Sequence, residues 1–329
     1  MCIRDSVSPE APVPVLKPEG RELRLGGASN VAANVKALGS RVELVGVVGR
    51  DETGKELRSL LKDASIKSSL ASSDKTTIHK LRLLAGQQQL LRLDIEQNFD
   101  RKEWRSIKKF FSKKLKNFGA VIVSDYGKGT LHDVPFIIQQ AKKRDIPVFI
   151  DPKGNNFNKY KGAYIITPNY LEFSTEVGGV KNEQDLNTKA KNMIKKLSLQ
   201  GLLITRGQEG MTLFKKAGSK VNRSNFPTVA RDVFDVSGAG DTVIASLAAA
   251  QSSGMTLEDS VKLANAAAGI VVGKSGTASP SLLELSFRLN SSDSVLSKTE
   301  IKDLVKEAKK DSKKIVFTNG CFDLLLSLI

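Results

Sequence analysis

The chain has 329 residues, 40% hydrophobic and 26% charged, enough to bury a full core as one large domain or two small ones. No run of 18 apolar residues offers a membrane span, and the first residues lack the basic-then-apolar pattern of a signal peptide. The net charge is +16, from 51 Lys and Arg against 35 Asp and Glu. That excess is spread through the segments 108–116, 189–196 and 302–314, with a single Trp (Trp104) for stacking, so it reads as solvated helix faces rather than a nucleic-acid surface. It would also draw in anions such as ATP and sugar phosphates. Cys2 and Cys321 lie near opposite ends without metal or redox spacing, which fits a reducing cytoplasm. His79 and His132 have no neighbouring Cys or His to complete a metal set, which also argues against a histidine-dependent hydrolase.

In chain order, helical patterns over 28–38 and 53–62 flank an apolar run at 42–48. Runs at 76–84 and 90–95, joined by Ala85-Gly86-Gln87-Gln88, predict a hairpin that stands as a small β lid beside the main body. Strands are then expected at 120–124, 147–151, 164–167, 202–205 and 211–214, and helices at 101–116, 133–144, 170–177, 183–197, 238–253 and 257–274. Buried-type runs separated by helices predict an α/β chain, a three-layer sandwich whose mostly parallel central sheet has helices on both faces. Residues 290–294 have linker composition, 297–310 read as a charged helix, and 314–323 as a strand entering a turn. The expected organisation is a domain over 1–290, a linker and helix over 291–313, and the start of a second domain over 314–329.

The most informative stretch is Asp235-Val236-Ser237-Gly238-Ala239-Gly240-Asp241-Thr242, which opens a helix of small residues. Gly238, Ala239 and Gly240 offer unpaired amides and the positive end of a helix dipole, a ready anion hole for phosphate. A carboxylate beside bound phosphate is unfavourable unless it takes a proton from an attacking hydroxyl, which nominates Asp241 as catalytic base over a plain helix cap. Gly26, Gly27 and Asn30 open the first helix, where glycine permits close approach and Asn30 can bond hydroxyls. Asn169, Tyr170, Leu171 and Glu172 follow a strand, with Asn and Glu on one face. Thr205, Arg206 and Gly207 form a turn between two apolar strands, and Asn265 is the polar member of a small-residue helix. Asp125, Lys128 and Lys153 sit at strand C-termini, the ligand edge of an open α/β sheet, and Arg82 and Arg92 on the hairpin are further phosphate candidates. Taken singly, each also reads as ordinary surface charge, turn or core packing.

The Gly238–Asp241 loop resembles the signature of the ribokinase-like (PfkB) carbohydrate kinases. Lys80-Leu81-Arg82, Arg92-Leu93-Asp94, Ser124-Asp125-Tyr126-Gly127-Lys128-Gly129, Asp151-Pro152-Lys153-Gly154 and the proline-rich Ser8–Val15 segment look more narrowly like the bifunctional heptose kinase/adenylyltransferases of ADP-heptose synthesis. The tail Thr318-Asn319-Gly320-Cys321-Phe322-Asp323 is similar to the start of their nucleotidyltransferase part. The resemblance implies a ribokinase-like fold and ATP-dependent phosphorylation of the anomeric hydroxyl of D-glycero-D-manno-heptose 7-phosphate, feeding the lipopolysaccharide core. It implies Asp241 as base; Asn169 to Glu172, Thr205 to Gly207 and Asn265 near ATP; and Gly26, Gly27, Asn30, Arg82, Arg92, Asp125, Lys128 and Lys153 near the sugar phosphate. Mg²⁺ would sit by Glu172 through water, a monovalent cation is open beside Asp235, and pairing through the lid suggests a homodimer. Two departures stand out. The family's opening strand with its Gly-Asp has no counterpart in Met1–Ser6, and no His-x-Gly-His follows Phe322-Asp323, so the second activity is not expected here. Other readings are a ribose or fructose phosphate kinase, or a nucleotide-binding fragment without catalysis.

Overall fold

A computed structural model describes residues 19–85, 88–154, 156–230 and 233–290, with residues 301, 302, 305, 306 and 309 beyond them. Strands are β1 (Glu43–Gly49), β2 (Lys67–Ser73), β3 (His79–Ala85), β4 (Gln88–Ile95), β5 (Val121–Ser124), β6 (Val148–Asp151), β7 (Ile165–Ile166), β8 (Gly201–Thr205), β9 (Met211–Ala217) and β10 (Lys220–Phe226). Helices are α1 (Ala28–Ala37), α2 (Glu52–Asp63), α3 (Arg101–Lys114), α4 (Val134–Lys142), α5 (Tyr170–Glu176), α6 (Glu183–Leu197), α7 (Ala239–Ser252), α8 (Leu257–Val271) and α9 (Leu282–Asn290).

The central sheet has the order β10-β9-β8-β7-β6-β5. Pairings from β5 to β8 are parallel, whereas β9 runs antiparallel to both of its neighbours. Side chains alternate across a strand, so each inner strand feeds two cores. Val148 and Ile150 join one cluster with α3, α4 and α6, while Phe149 between them joins another with α1, α7 and α8. Leu202 and Ile204 against Leu203 repeat the split on β8. Helices on both faces make the expected three-layer sandwich. Each such fully buried side chain contributes roughly 1.5–3 kcal/mol.

Two strands escaped the sequence reading. β2 is Lys-Ser-Ser-Leu-Ala-Ser-Ser and β10 is Lys-Val-Asn-Arg-Ser-Asn-Phe, and neither has an apolar run. β2 pairs in parallel with β1, as a sheet of its own in hydrogen bonding, and β1 joins the main core through Val45 and Val47. The hairpin forms as expected, antiparallel, with Leu81 opposite Leu93 and Arg82 opposite Arg92.

Local chemistry sets the helix starts that matter for the site. α5 opens on a reciprocal capping box between Asn169 and Glu172. α7 opens on Gly238 at φ 79°, a left-handed conformation that favours glycine. α7 is apolar nearly all round and is buried between α1, α8 and the sheet. Compactness divides the chain within α9, between Leu285 and Ser286. In the second unit, residues 301, 302, 305, 306 and 309 are helical, as expected for 297–310. The Ser8–Val15 segment, the 291–296 stretch of the linker, the 297–300 capping box, the 314–323 strand and both cysteines lie outside the described residues. No helix among the described residues is long and apolar enough to cross a membrane.

Candidate active site

The C-terminal ends of β5 to β8 and the N-termini of α1, α5 and α7 bring most of the candidate residues to one edge of the sheet. At its centre Asp241, on the first turn of α7, is only 8% exposed. Both of its oxygens are held. Asn30 of α1 donates from Nδ2 to Oδ2 at 2.8 Å, and Tyr126, just past β5, donates its hydroxyl to Oδ1 at 2.6 Å. Asn30 is itself fixed: Asn34 Nδ2 donates to its backbone oxygen at 2.9 Å, and Thr242 Oγ1 donates to Asn34 Oδ1 at 3.0 Å. A Cβ on Gly238 would meet Asn30 Nδ2 at 2.6 Å, so glycine is required there for space as well as for its φ.

Burial pushes the Asp241 carboxyl above the ordinary Asp range, and the two donors oppose that. Burial, with the Asp241 charge beside it, also raises Tyr126, so the phenol keeps its proton and donates. Of the three expected anion-hole residues, Ala239 turns its amide back to Val236 O at 3.2 Å. The Gly240 and Asp241 amides, second and third in the helix, have no partner within it and are the ones an anion can take.

Glu172 accepts from the Asn169 amide at 3.1 Å and pairs with Lys153 at 3.2 Å, so those three candidates converge. Asp151, at the end of β6, is pushed up to about 8 by burial and by the charges of Asp241 and Glu172. No three metal-ligating side chains converge among the described residues. These carboxylates are instead a hard-oxygen set suited to a hydrated Mg²⁺. Asp125 accepts from Lys159 Nζ at 2.6 Å, Tyr160 OH at 2.8 Å and the Gly127 amide at 2.9 Å.

On the hairpin side, Lys128 pairs with Glu96 and Arg92 with Asp94 at 3.0 Å. Burial pushes the Asp235 carboxyl up, but hydrogen bonds from Ser237 and the Gly276 amide, with the charge of Arg82 nearby, together hold it below the ordinary Asp range. A groove of about 3080 Å³ takes in Gly26, Gly27, Arg82, Asp125, Tyr126, Lys128, Lys153, Gly238 and Asp241.

Arg206 and Asn265 stand apart from this centre. Arg206 stacks 5.6 Å over the Tyr170 ring and pairs with Glu183 at 2.7 Å and Glu209 at 2.6 Å. Asn265 donates to Pro227 O at 2.7 Å. Thr205 bridges to Asn169 in parallel, Gly207 starts a short turn at φ 58°, and Leu171 is exposed. Sequence reasoning missed Tyr126, Asp151, Lys159 and Tyr160 as site residues. Tyr126 and Asp151 lie inside motifs at strand ends, which was the one available signal. Lys159 and Tyr160 carry none.

An α/β sandwich with a glycine-led helix start, a held carboxylate beside it and a β hairpin alongside defines the class of ribokinase-like sugar kinases. Residues 1–284 match the pfkB family of carbohydrate kinases, and the chain belongs to that family. It is 46% identical over 324 residues to the "Bifunctional protein HldE" of Haemophilus influenzae (strain PittEE), covering 97% of this chain and 67% of that protein. The HldE of Hydrogenovibrio crunogenus is 45% identical over 327 residues, covering 98% and 67%. The phosphofructokinase-2 of Escherichia coli, solved in complex with potassium, shares the fold with a TM-score of 0.68 at 20% identity, over 83% of this chain and 91% of that one.

Proposed function

We propose that this carbohydrate kinase transfers the γ-phosphate of ATP to the anomeric hydroxyl of D-glycero-D-manno-heptose 7-phosphate, in the cytoplasm, as the kinase step of ADP-heptose formation. The observation that carries the catalytic part is Asp241 at the start of α7, buried and held on both oxygens. The sugar is inferred from the HldE likeness together with the Lys80–Arg82, Arg92–Asp94, Asp125–Gly129 and Asp151–Gly154 motifs.

Asp241 accepts the proton as the hydroxyl attacks in line, and the Gly240 and Asp241 amides stabilise charge on the transferred group. Asn169 and Glu172, with Lys153, face the phosphates. Arg82, Arg92 and Lys128 hold the sugar phosphate, Arg92 and Lys128 once they release Asp94 and Glu96 for it, and Asp125 accepts from the sugar hydroxyls. Glu172 and Asp151 would hold Mg²⁺ through water, and the ion supplies charge compensation on the phosphates when bound. Thr205 to Gly207 and Asn265 line the nucleotide's outer end. A monovalent cation beside Asp235 and a homodimer through the hairpin belong to the same reading. So does the division into a kinase domain over 1–290, a linker and helix over 291–313, and the start of a nucleotidyltransferase domain over 314–329.

The test is ADP release with Mg-ATP and the heptose 7-phosphate, against ribose and fructose 6-phosphate. Turnover confined to the heptose supports the reading; turnover on another sugar alone reassigns the substrate. Asp241→Asn keeps the helix start but removes the base, and turnover should fall ~10²–10⁴-fold. Near-normal turnover in that variant would remove Asp241 from the mechanism.

A further inference from the structure

The two donors that hold Asp241 differ in freedom. Asn30 is 2% exposed and locked by Asn34 and the Gly238 turn. Tyr126 is 39% exposed and stands on the loop after β5, followed by Gly127 at φ 67° and Gly129 at φ 77°. Its ring lies over Gly27, where a Cβ would sit 3.4 Å from Cε2. One donor is part of the scaffold; the other reaches the carboxylate from the rim of the groove.

We propose that Tyr126 is a placeholder for the acceptor sugar: its hydroxyl occupies the place on Asp241 that the sugar hydroxyl must take, and so keeps water off the base until the sugar arrives. The inference rests on Asp241 being the base. A phenol donating to Oδ1 at 2.6 Å makes the same bond that an acceptor hydroxyl makes just before it attacks. If that place were empty, water would fill it beside the γ-phosphate of bound ATP. The water oxygen would then bond to phosphorus as the bond to the β,γ-bridging oxygen broke. Asp241 would take the proton, and the products would be ADP and inorganic phosphate. Tyr126 blocks that waste reaction by standing on the base. The sugar displaces it; Gly127, with open space where a Cβ would stand, follows the tyrosine directly, while Gly129 is packed against the Phe99 backbone and anchors the far end of the loop.

The experiment uses the full chain with Tyr126→Phe, which removes the hydroxyl and keeps the ring. Sugar-independent ADP release with Mg-ATP should rise ~10-fold or more, because general-base assistance becomes available to water. The KM for the sugar should fall, because no bonded phenol has to leave. In Tyr126→Phe/Asp241→Asn the extra hydrolysis should vanish. Hydrolysis at the wild-type level in folded Tyr126→Phe overturns the proposal and makes the contact a structural staple. Tyr126→Leu, lacking hydroxyl and ring, is the second variant and should show the same rise. If Asp241→Asn abolishes sugar phosphorylation while Tyr126→Phe leaves hydrolysis unchanged, the placeholder role alone falls. If Asp241→Asn retains full kinase turnover, the base assignment falls and the placeholder with it.

Discussion

Asp151 shows how one residue couples the site to stability. Its carboxyl sits at about 8 in the folded chain against an ordinary 3.8, with burial as the first cause and the charges of Asp241 and Glu172 next. The folded state therefore holds a proton that the unfolded state has lost between those values. Stability falls as pH rises through that window, and the full penalty stands above about 8. Asp151→Asn is neutral throughout. It should raise the Tm of the ligand-free protein at pH 8.5 and leave it unchanged near pH 4, read by thermal unfolding at both values. An equal shift at both would locate the effect in packing rather than charge. Asp151 and Tyr126 also mark the limit of sequence reading at this scale. Asp241 was legible because two glycines and a small-residue helix surround it. Nothing in a linear order says that a phenol at 126 will reach residue 241.

At the scale of elements, the start of α7 is where backbone and chemistry meet. Gly238→Ala would place a side chain in a left-handed conformation, costing ~1–2 kcal/mol, and 2.6 Å from Asn30 Nδ2. Chemical denaturation should show at least that loss. Turnover should drop as well, since Asn30 would be displaced from Asp241. A stability loss with unchanged turnover would mean that Asn30 is dispensable. The helices, the inner strands and the hairpin were readable because their apolar residues recur with the period of the element. β2 and β10 were not, because their place is set by the partner strand: β1 recruits one and β9 the other through backbone bonds that polar residues make equally well. Arg206 illustrates the same point inside a motif. Its turn was recognisable and holds one partner, Glu209, three residues on, yet its guanidinium also answers to Glu183, which no local pattern announced.

At the scale of the whole molecule, the hairpin carries a cluster of exposed leucines. Leu81, Leu84, Leu90, Leu91 and Leu93 on its two strands are 37–47% exposed. A second copy covering them would explain why a two-stranded sheet carries so much apolar surface. Leu81→Glu with Leu93→Lys places opposite charges across the hairpin, so the sheet is kept while its apolar face is lost. If a second copy covers the hairpin, sedimentation velocity should show a dimer for the unaltered chain and a monomer for this variant. A dimer that survives would place the contact elsewhere.

The two donors that meet at the Asp241 carboxylate lie far from it in the chain. Asn30 lies 211 positions before Asp241, and Tyr126 lies 115 before it. During translation Asp241 emerges well after the two residues that hold it. On the proposed mechanism, a ribosome-bound chain that has made α1 and β5 but not α7 still lacks its base. α7 can dock between α1 and the sheet only after both have been made. On that mechanism the order of residues alone keeps a half-made chain from spending the cell's nucleotide.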